Sequence, residues 1–145
     1  MMTRERDRLV AVLAHCDERV LEAKLIQSDR SPLLANPSRT AFDIAFTAGA
    51  LLICAAAKTA NDVSATSSDF STGIGALAAQ GCARLRLSAK CRSDFERFSR
   101  WCEHDNYFAE FDATPPNSVD SVLAWTSAIR SAYIATFAKI LQPGS

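Results

Sequence analysis

Arg86, Lys90, Ser93, Arg97, Arg100 and His104 follow one another at steps of four, three, four, three and four. On an α-helix, residues at those steps share one side, because a turn takes about 3.6 residues. A second series, Cys91, Phe95, Phe98 and Cys102, advances by four, three and four and falls roughly opposite, with Trp101 beside it. One helix over 86–104 would therefore turn an apolar face inward and a basic face outward. Arg and Lys on such a face can reach phosphates and guanine edges in a major groove, and Ser can reach phosphates. With Arg92 added, the candidate nucleic-acid-binding set is Arg86, Lys90, Arg92, Ser93, Arg97 and Arg100. A charged outer face is also what an ordinary surface helix presents, and Asp94 and Glu96 dilute this one.

Charge sharpens the comparison. The 145 residues carry 16 basic and 16 acidic side chains. That balance excludes a uniformly basic protein but not a local basic face. Positions 83–104 hold six Lys and Arg against three Asp and Glu, whereas 105–120 hold four acidic residues and no Lys or Arg. In the first 30 residues six basic and six acidic residues cancel, which suits a solvated helix surface.

The stretch from Ser88 to Ile129 resembles the core-binding, SAM-like N-terminal domain of tyrosine recombinases and phage integrases. Ser88 leads a helix, and Arg92-Ser93-Asp94-Phe95 stands where the family has an R/S-D-W stretch. Phe98 and Trp101-Cys102 follow in step. Ala113-Thr114-Pro115-Pro116 matches the loop that ends this part of the family pattern, and Ser118-Val119 to Val122-Leu123 matches the helix after it. Upstream, Leu77-Ala78-Ala79-Gln80-Gly81 resembles the end of the domain's first helix, so the likeness spans about 70–126. Cys91 departs from the pattern, standing where the family has a large residue. The resemblance implies a helical module that clamps double-stranded DNA. Strand cleavage in that family belongs to a separate C-terminal domain, so the expectation is a truncated, split or stand-alone DNA-binding module and not an enzyme. Tyr107 and Tyr133 lack the ordered Arg, Lys and His companions that would activate a tyrosine nucleophile.

Other chemistries have less to stand on. Arg97 and His104, six residues apart in the intervening count, fit the Arg–His spacing of HEPN-type ribonucleases, but Phe98 replaces the polar residue that follows the Arg there. Two His and five scattered Cys with no CxxC pair give no zinc motif, and the thiols read as reduced, mostly core-filling residues of a cytoplasmic protein. Gly73-Ile74-Gly75 lacks the strand and the Lys-Ser/Thr ending of a phosphate loop. No cofactor and no metal is expected.

The elements that must position these residues are helical. Alanine occurs 25 times, against five Gly and five Pro, which favours an all-α fold. Leu9, Leu13, Cys16, Val20 and Ala23 mark an amphipathic helix over 4–27, which could also pair with a second copy as a short coiled coil. A connector with Pro32 and Pro37 occupies 28–40. Thr40, with Asp43, would cap a helix to Lys58. Its run Ile44 to Ala57 falls short of the roughly 20 residues of a membrane span and reads as a buried central helix, or one covered by a partner, with a membrane-associated helix as the alternative. The first 30 residues lack the apolar stretch of a secretory leader. A helix over Thr72–Gln80 would end at Gly81 in a left-handed cap. Ser88 would cap a helix from Ala89 to Glu103. A connector over 105–117 would fold Tyr107, Phe108 and Phe111 back on the bundle. Ser118 would start a last helix to Leu141, with Val122, Trp125, Ile129, Tyr133, Phe137 and Ile140 on one face and Pro143 and Gly144 ending it. The expected organisation is an N-terminal helical segment (1–60), a polar linker (61–71) and a small core-binding-like helical bundle (72–141). A non-enzymatic helical interaction protein, dimerising through 4–27 or 41–58, is the second reading.

Overall fold

The computed structural model describes residues 2–28, 37–60, 74–102 and 119–142, and among them there are helices and turns but no strand. The helices are α1 (Met2–Ser28), α2 (Pro37–Ala60), α3 (Ile74–Arg84), α4 (Ala89–Cys102), α5 (Val119–Thr136) and the single turn α6 (Ala138–Leu141). The all-α expectation holds. Most of the 28–40 connector, all of 61–71 and 105–117, and with them Gly73, His104, Tyr107, Phe108, Phe111, Pro143 and Gly144, lie outside the described residues.

α2 is the central helix. It contacts α1, α3, α4 and α5, and Ala41, Phe42, Ala45, Ala48, Leu52, Ile53 and Ala56 along it are fully buried. Its small residues let neighbours come close. A Cβ on Gly49 would lie 2.5 Å from the Trp125 ring of α5. The Thr126 hydroxyl of α5 donates to the Ala45 carbonyl at 2.8 Å. The run Ile44–Ala57 lies inside a longer segment, Arg39–Thr59, which at 21 residues is apolar enough to cross a membrane by length and composition. Half of it is buried against the other helices, as a central helix requires.

α1 lies along α2 with Leu9, Cys16 and Ala23 fully buried and Leu13 and Val20 partly so, the face its periodicity marks. It also runs antiparallel to α5. Arg6 Nε donates to the Leu141 carbonyl at 3.2 Å. In mid-helix, Arg130 forms a two-pronged ion pair with Asp17, at 2.7 and 3.0 Å. At the other end Gln27 donates to Asp120 at 3.2 Å. One hydrophobic cluster runs through α1 to α5, joining Leu9 and Leu52 to Phe98 and Tyr133.

Three boundaries differ from the sequence expectation, each for a physical reason. α2 begins at Pro37 and not at a Thr40 cap. Proline suits a helix start, since its fixed φ is helical and the N–H it lacks would have no partner there. Gly81 does not end α3, because that helix continues to Arg84. The glycine is there for closeness, as a Cβ would lie 1.9 Å from the Ile53 carbonyl oxygen of α2. The last helix breaks at Phe137, which is buried and sits between α5 and α6. Val122, Trp125, Ile129 and Tyr133 still share the buried face.

Candidate nucleic-acid interface

The turn into α4 is made by a residue that the helical spacing would place inside the helix. Arg86 has a positive φ of 53°. The Leu87 N–H reaches back to the Cys82 carbonyl at 3.0 Å and the Arg86 N–H to Ala83 at 3.1 Å. This pattern is a Schellman ending, with an arginine at the left-handed position where glycine is usual. Leu85 and Leu87 on either side are buried, which holds the turn in the core while Arg86 stays exposed. The single long helix over 86–104 is therefore corrected, since the chain turns at Arg86 and helical repeat does not carry that residue onto the α4 stripe. Ser88 caps α4 as expected, its Oγ accepting the Cys91 N–H at 3.1 Å.

The inward face of α4 is fixed by aromatic rings. Phe98 is buried and meets Phe42 edge-on at 5.4 Å and Trp125 edge-on at 5.5 Å. Phe95 lies 5.6 Å from Phe46, which stacks on Trp125 at 5.5 Å. Trp125 Nε1 donates to the Cys91 carbonyl at 3.1 Å, tying α5 to α4. Trp101 and Cys102 belong to the last turn of α4, but their side chains lie outside the described part.

The outward edge carries Lys90, Ser93, Arg97 and Arg100, all exposed. The Lys90 side chain is 86% exposed and that of Arg100 72%, so both heads are in solvent. Arg92 is also exposed but lies to the other side, along a cleft between α3 and α4 with Ala78, Cys82 and Glu96. The fold thus groups four of the six candidate residues along one edge and sets Arg86 and Arg92 apart from it.

Sequence reasoning treats Asp94 as a diluting charge and as part of the family-like stretch, and the structure adds a local role. Its carboxylate, 12% exposed, accepts from Arg97 at 2.6 Å and from Lys90 at 3.2 Å. The signal was present in the spacing, because Asp94 stands four residues after Lys90 and three before Arg97. Arg97 also lies 5.3 Å over the Phe98 ring. Asp94 and Phe98 therefore pre-set the guanidinium. Arg100 faces Glu96 at 3.8 Å, with both side chains well exposed, so that pair is loose. Among the described residues α4 carries four cations against two carboxylates.

Cys16, Cys54, Cys82 and Cys91 are free. Burial raises the Cys16 thiol to about 11, and pushes Cys54 and Cys82 above the ordinary value. No group of His, Cys, Asp or Glu among the described residues is arranged to hold a metal. Set beside protein-family models, curated proteins and solved structures, the chain finds no match.

Proposed function

We propose that this protein binds double-stranded DNA through the outward edge of α4, in the manner of the tyrosine-recombinase core-binding domain that its sequence resembles. The observation that carries the reading is the division of α4 into two faces. Phe95 and Phe98 lock one side onto Phe42, Phe46 and Trp125, while Lys90, Ser93, Arg97 and Arg100 stand in solvent on the other. A rigid helix with a row of cations is what phosphate contact along a groove needs. Lys90, Arg97 and Arg100 would meet phosphates or guanine edges, Ser93 a phosphate. Arg86, at the entry to α4, and Arg92, on its other side, would meet the flanking backbone. Binding of a labelled duplex, followed by anisotropy at low salt, tests the proposal. Wild type binds, and Arg97→Gln with Arg100→Gln weakens binding at every sequence tried. No binding at low salt, or undiminished binding by the double variant, would remove this reading.

A second reading is dimerisation of a non-enzymatic helical protein. Half of the apolar segment of α2 is buried within the chain, and the larger exposed apolar side chains are on α1, where Val10, Leu21 and Leu25 are 41%, 57% and 61% exposed, so the reading falls first on α1. Light scattering decides it. A dimer that becomes monomeric with Leu21→Glu and Leu25→Glu supports it, and a monomeric wild type ends it.

A further inference from the structure

One end of the bundle, its base, gathers cations from several helices. α1 begins there and α6 ends there, since Arg6 Nε donates to the Leu141 carbonyl at 3.2 Å. α2 ends there, with Lys58 and the Arg8 of α1 lining one cleft. α3 ends there too, its Arg84 guanidinium lying 5.5 Å over the ring of Phe137, the residue between α5 and α6. Arg4, Arg6, Arg8, Arg84 and Lys139 thus share this end with Glu5 and Asp7, five cations against two carboxylates among the described residues. Lys58 adds its charge but has an interaction of its own, and Arg6 is spent on Leu141. Arg4, Arg8, Arg84 and Lys139 are exposed, and among the described residues none of them is in an ion pair. Six cations elsewhere are paired, as Arg19, Arg39, Lys90, Arg97, Arg100 and Arg130 each face a carboxylate.

Helix stability does not explain the whole set. Arg84 and Lys139 stand in the last turns of their helices, where the macrodipole favours a cation. Arg4 stands in the first turn of α1, where the same dipole disfavours one, and Arg8 follows four residues on, so like charges adjoin. The helix gains nothing from these two charges. Arg84 is also prepared for a partner. Its guanidinium rests on Phe137 as that of Arg97 rests on Phe98, at 5.5 and 5.3 Å, and stacking on a ring leaves the N–H edge open to an anion. Four exposed cations from three helices suit an extended polyanion better than a small ligand.

Continuity with α4 names the polyanion. Arg84 stands two residues before Arg86 and six before Lys90, so the row of cations on α4 leads through the turn to the base. The 14 residues of α4 are about 21 Å long. A duplex carries one phosphate charge per about 1.7 Å of its axis, so one lying along α4 has further phosphates to place beyond the start of that helix. We propose that the base of the bundle is a second phosphate-contacting surface for the duplex on the α4 edge, with Arg84 its contact next to that edge and Lys139, Arg4 and Arg8 beyond it. The inference rests on the α4 reading and extends it to α1, α3 and α6.

The test is duplex binding by the full chain, followed by anisotropy across a salt series. Arg84→Gln with Lys139→Gln, and separately Arg4→Gln with Arg8→Gln, should each make the slope of log K against log salt shallower by about two while the α4 edge is intact. Lys24→Gln, exposed near the far end of α1, and the charge-keeping Arg84→Lys should both leave the slope as it is. Wild-type slopes in the two double variants overturn the proposal, and the α4 reading survives them if Arg97→Gln with Arg100→Gln still lowers the slope. A slope lowered by the base variants alone keeps the base as a DNA surface and removes the α4 edge. A wild type that leaves the duplex free at low salt removes both. An equal fall in Lys24→Gln or in Arg84→Lys also overturns the proposal, since the effect would then follow net charge or lost structure and not this surface. Vesicles containing anionic lipid are the second probe. Base variants that lose vesicle binding but keep the wild-type duplex slope would assign the surface to a membrane and overturn the proposal.

Discussion

α2 and α4 are built on different principles. α2 lets its neighbours come close to its backbone: Gly81 of α3 lies against the Ile53 carbonyl, and its own Gly49 lies against the Trp125 and Thr126 side chains of α5. α4 meets the core through side chains, by Phe95 and Phe98 reaching Phe42, Phe46 and Trp125. The first arrangement makes a closely packed centre. The second leaves a helix standing off from the core with its charged edge open, as a surface that meets a partner must be.

Removing the rings that hold α4 should have the largest effect. Phe98→Ala should cost about 3–5 kcal/mol in denaturant unfolding, since the side chain is buried and touches two other rings. If it costs under about 1 kcal/mol, α4 does not depend on its aromatic anchor. Next comes the backbone contact. Gly81→Ala should cost about 2–3 kcal/mol, because the new methyl meets a main-chain carbonyl. Gly49→Ala should cost less, about 1–2 kcal/mol, because the atoms it meets belong to the Trp125 and Thr126 side chains and not to the main chain. A reversed order would show that α2 and α3 are not held by backbone proximity.

These positions also mark where the sequence was legible. The buried faces of α1, α4 and α5 were readable because each is a single amphipathic stripe, and Leu9, Cys16, Phe98, Ile129 and Tyr133 lie where periodicity puts them. Gly81 was not, since a glycine near a helix end serves equally as a terminator or as a close crossing, and only the position of Ile53 decides. Arg86 was hidden for a related reason. A left-handed arginine costs about 1 kcal/mol locally, and burial of Leu85 and Leu87 offsets it through contacts distant in sequence. Within the candidate site the outward stripe was legible, but the grip of Asp94 on Lys90 and Arg97 depends on its partial burial beside α5.

A pH titration sharpens the contrast further, since the α1–α2 contact buries a thiol. Cys16 has an ordinary value of 9.0 when unfolded and about 11 in the fold. Between those values the folded state holds a proton that the unfolded state has lost. The contribution is therefore fully present below pH 9 and is lost as pH rises towards 11. Cys54, Cys82 and Tyr133 shift in the same direction. Urea unfolding at mildly and strongly alkaline pH should show wild type losing stability with pH, and Cys16→Ala losing less. The smallest effect concerns the charged edge. Asp94→Asn frees Lys90 and Arg97 from their shared partner and should tighten duplex binding by about two- to five-fold at low salt, a change of under about 1 kcal/mol. Weaker binding would mean that Asp94 positions these cations for DNA rather than competing with it.

The most direct test of the account is the salt dependence of duplex binding for wild type and for the Arg97→Gln, Arg100→Gln double variant. Neutralising two cations that pair with phosphates should make the slope of log K against log salt shallower by about two. Wild-type binding at low salt with that reduced slope in the variant is the expected result. Equal slopes, or a wild type that leaves DNA free at low salt, would contradict the assignment of the α4 edge.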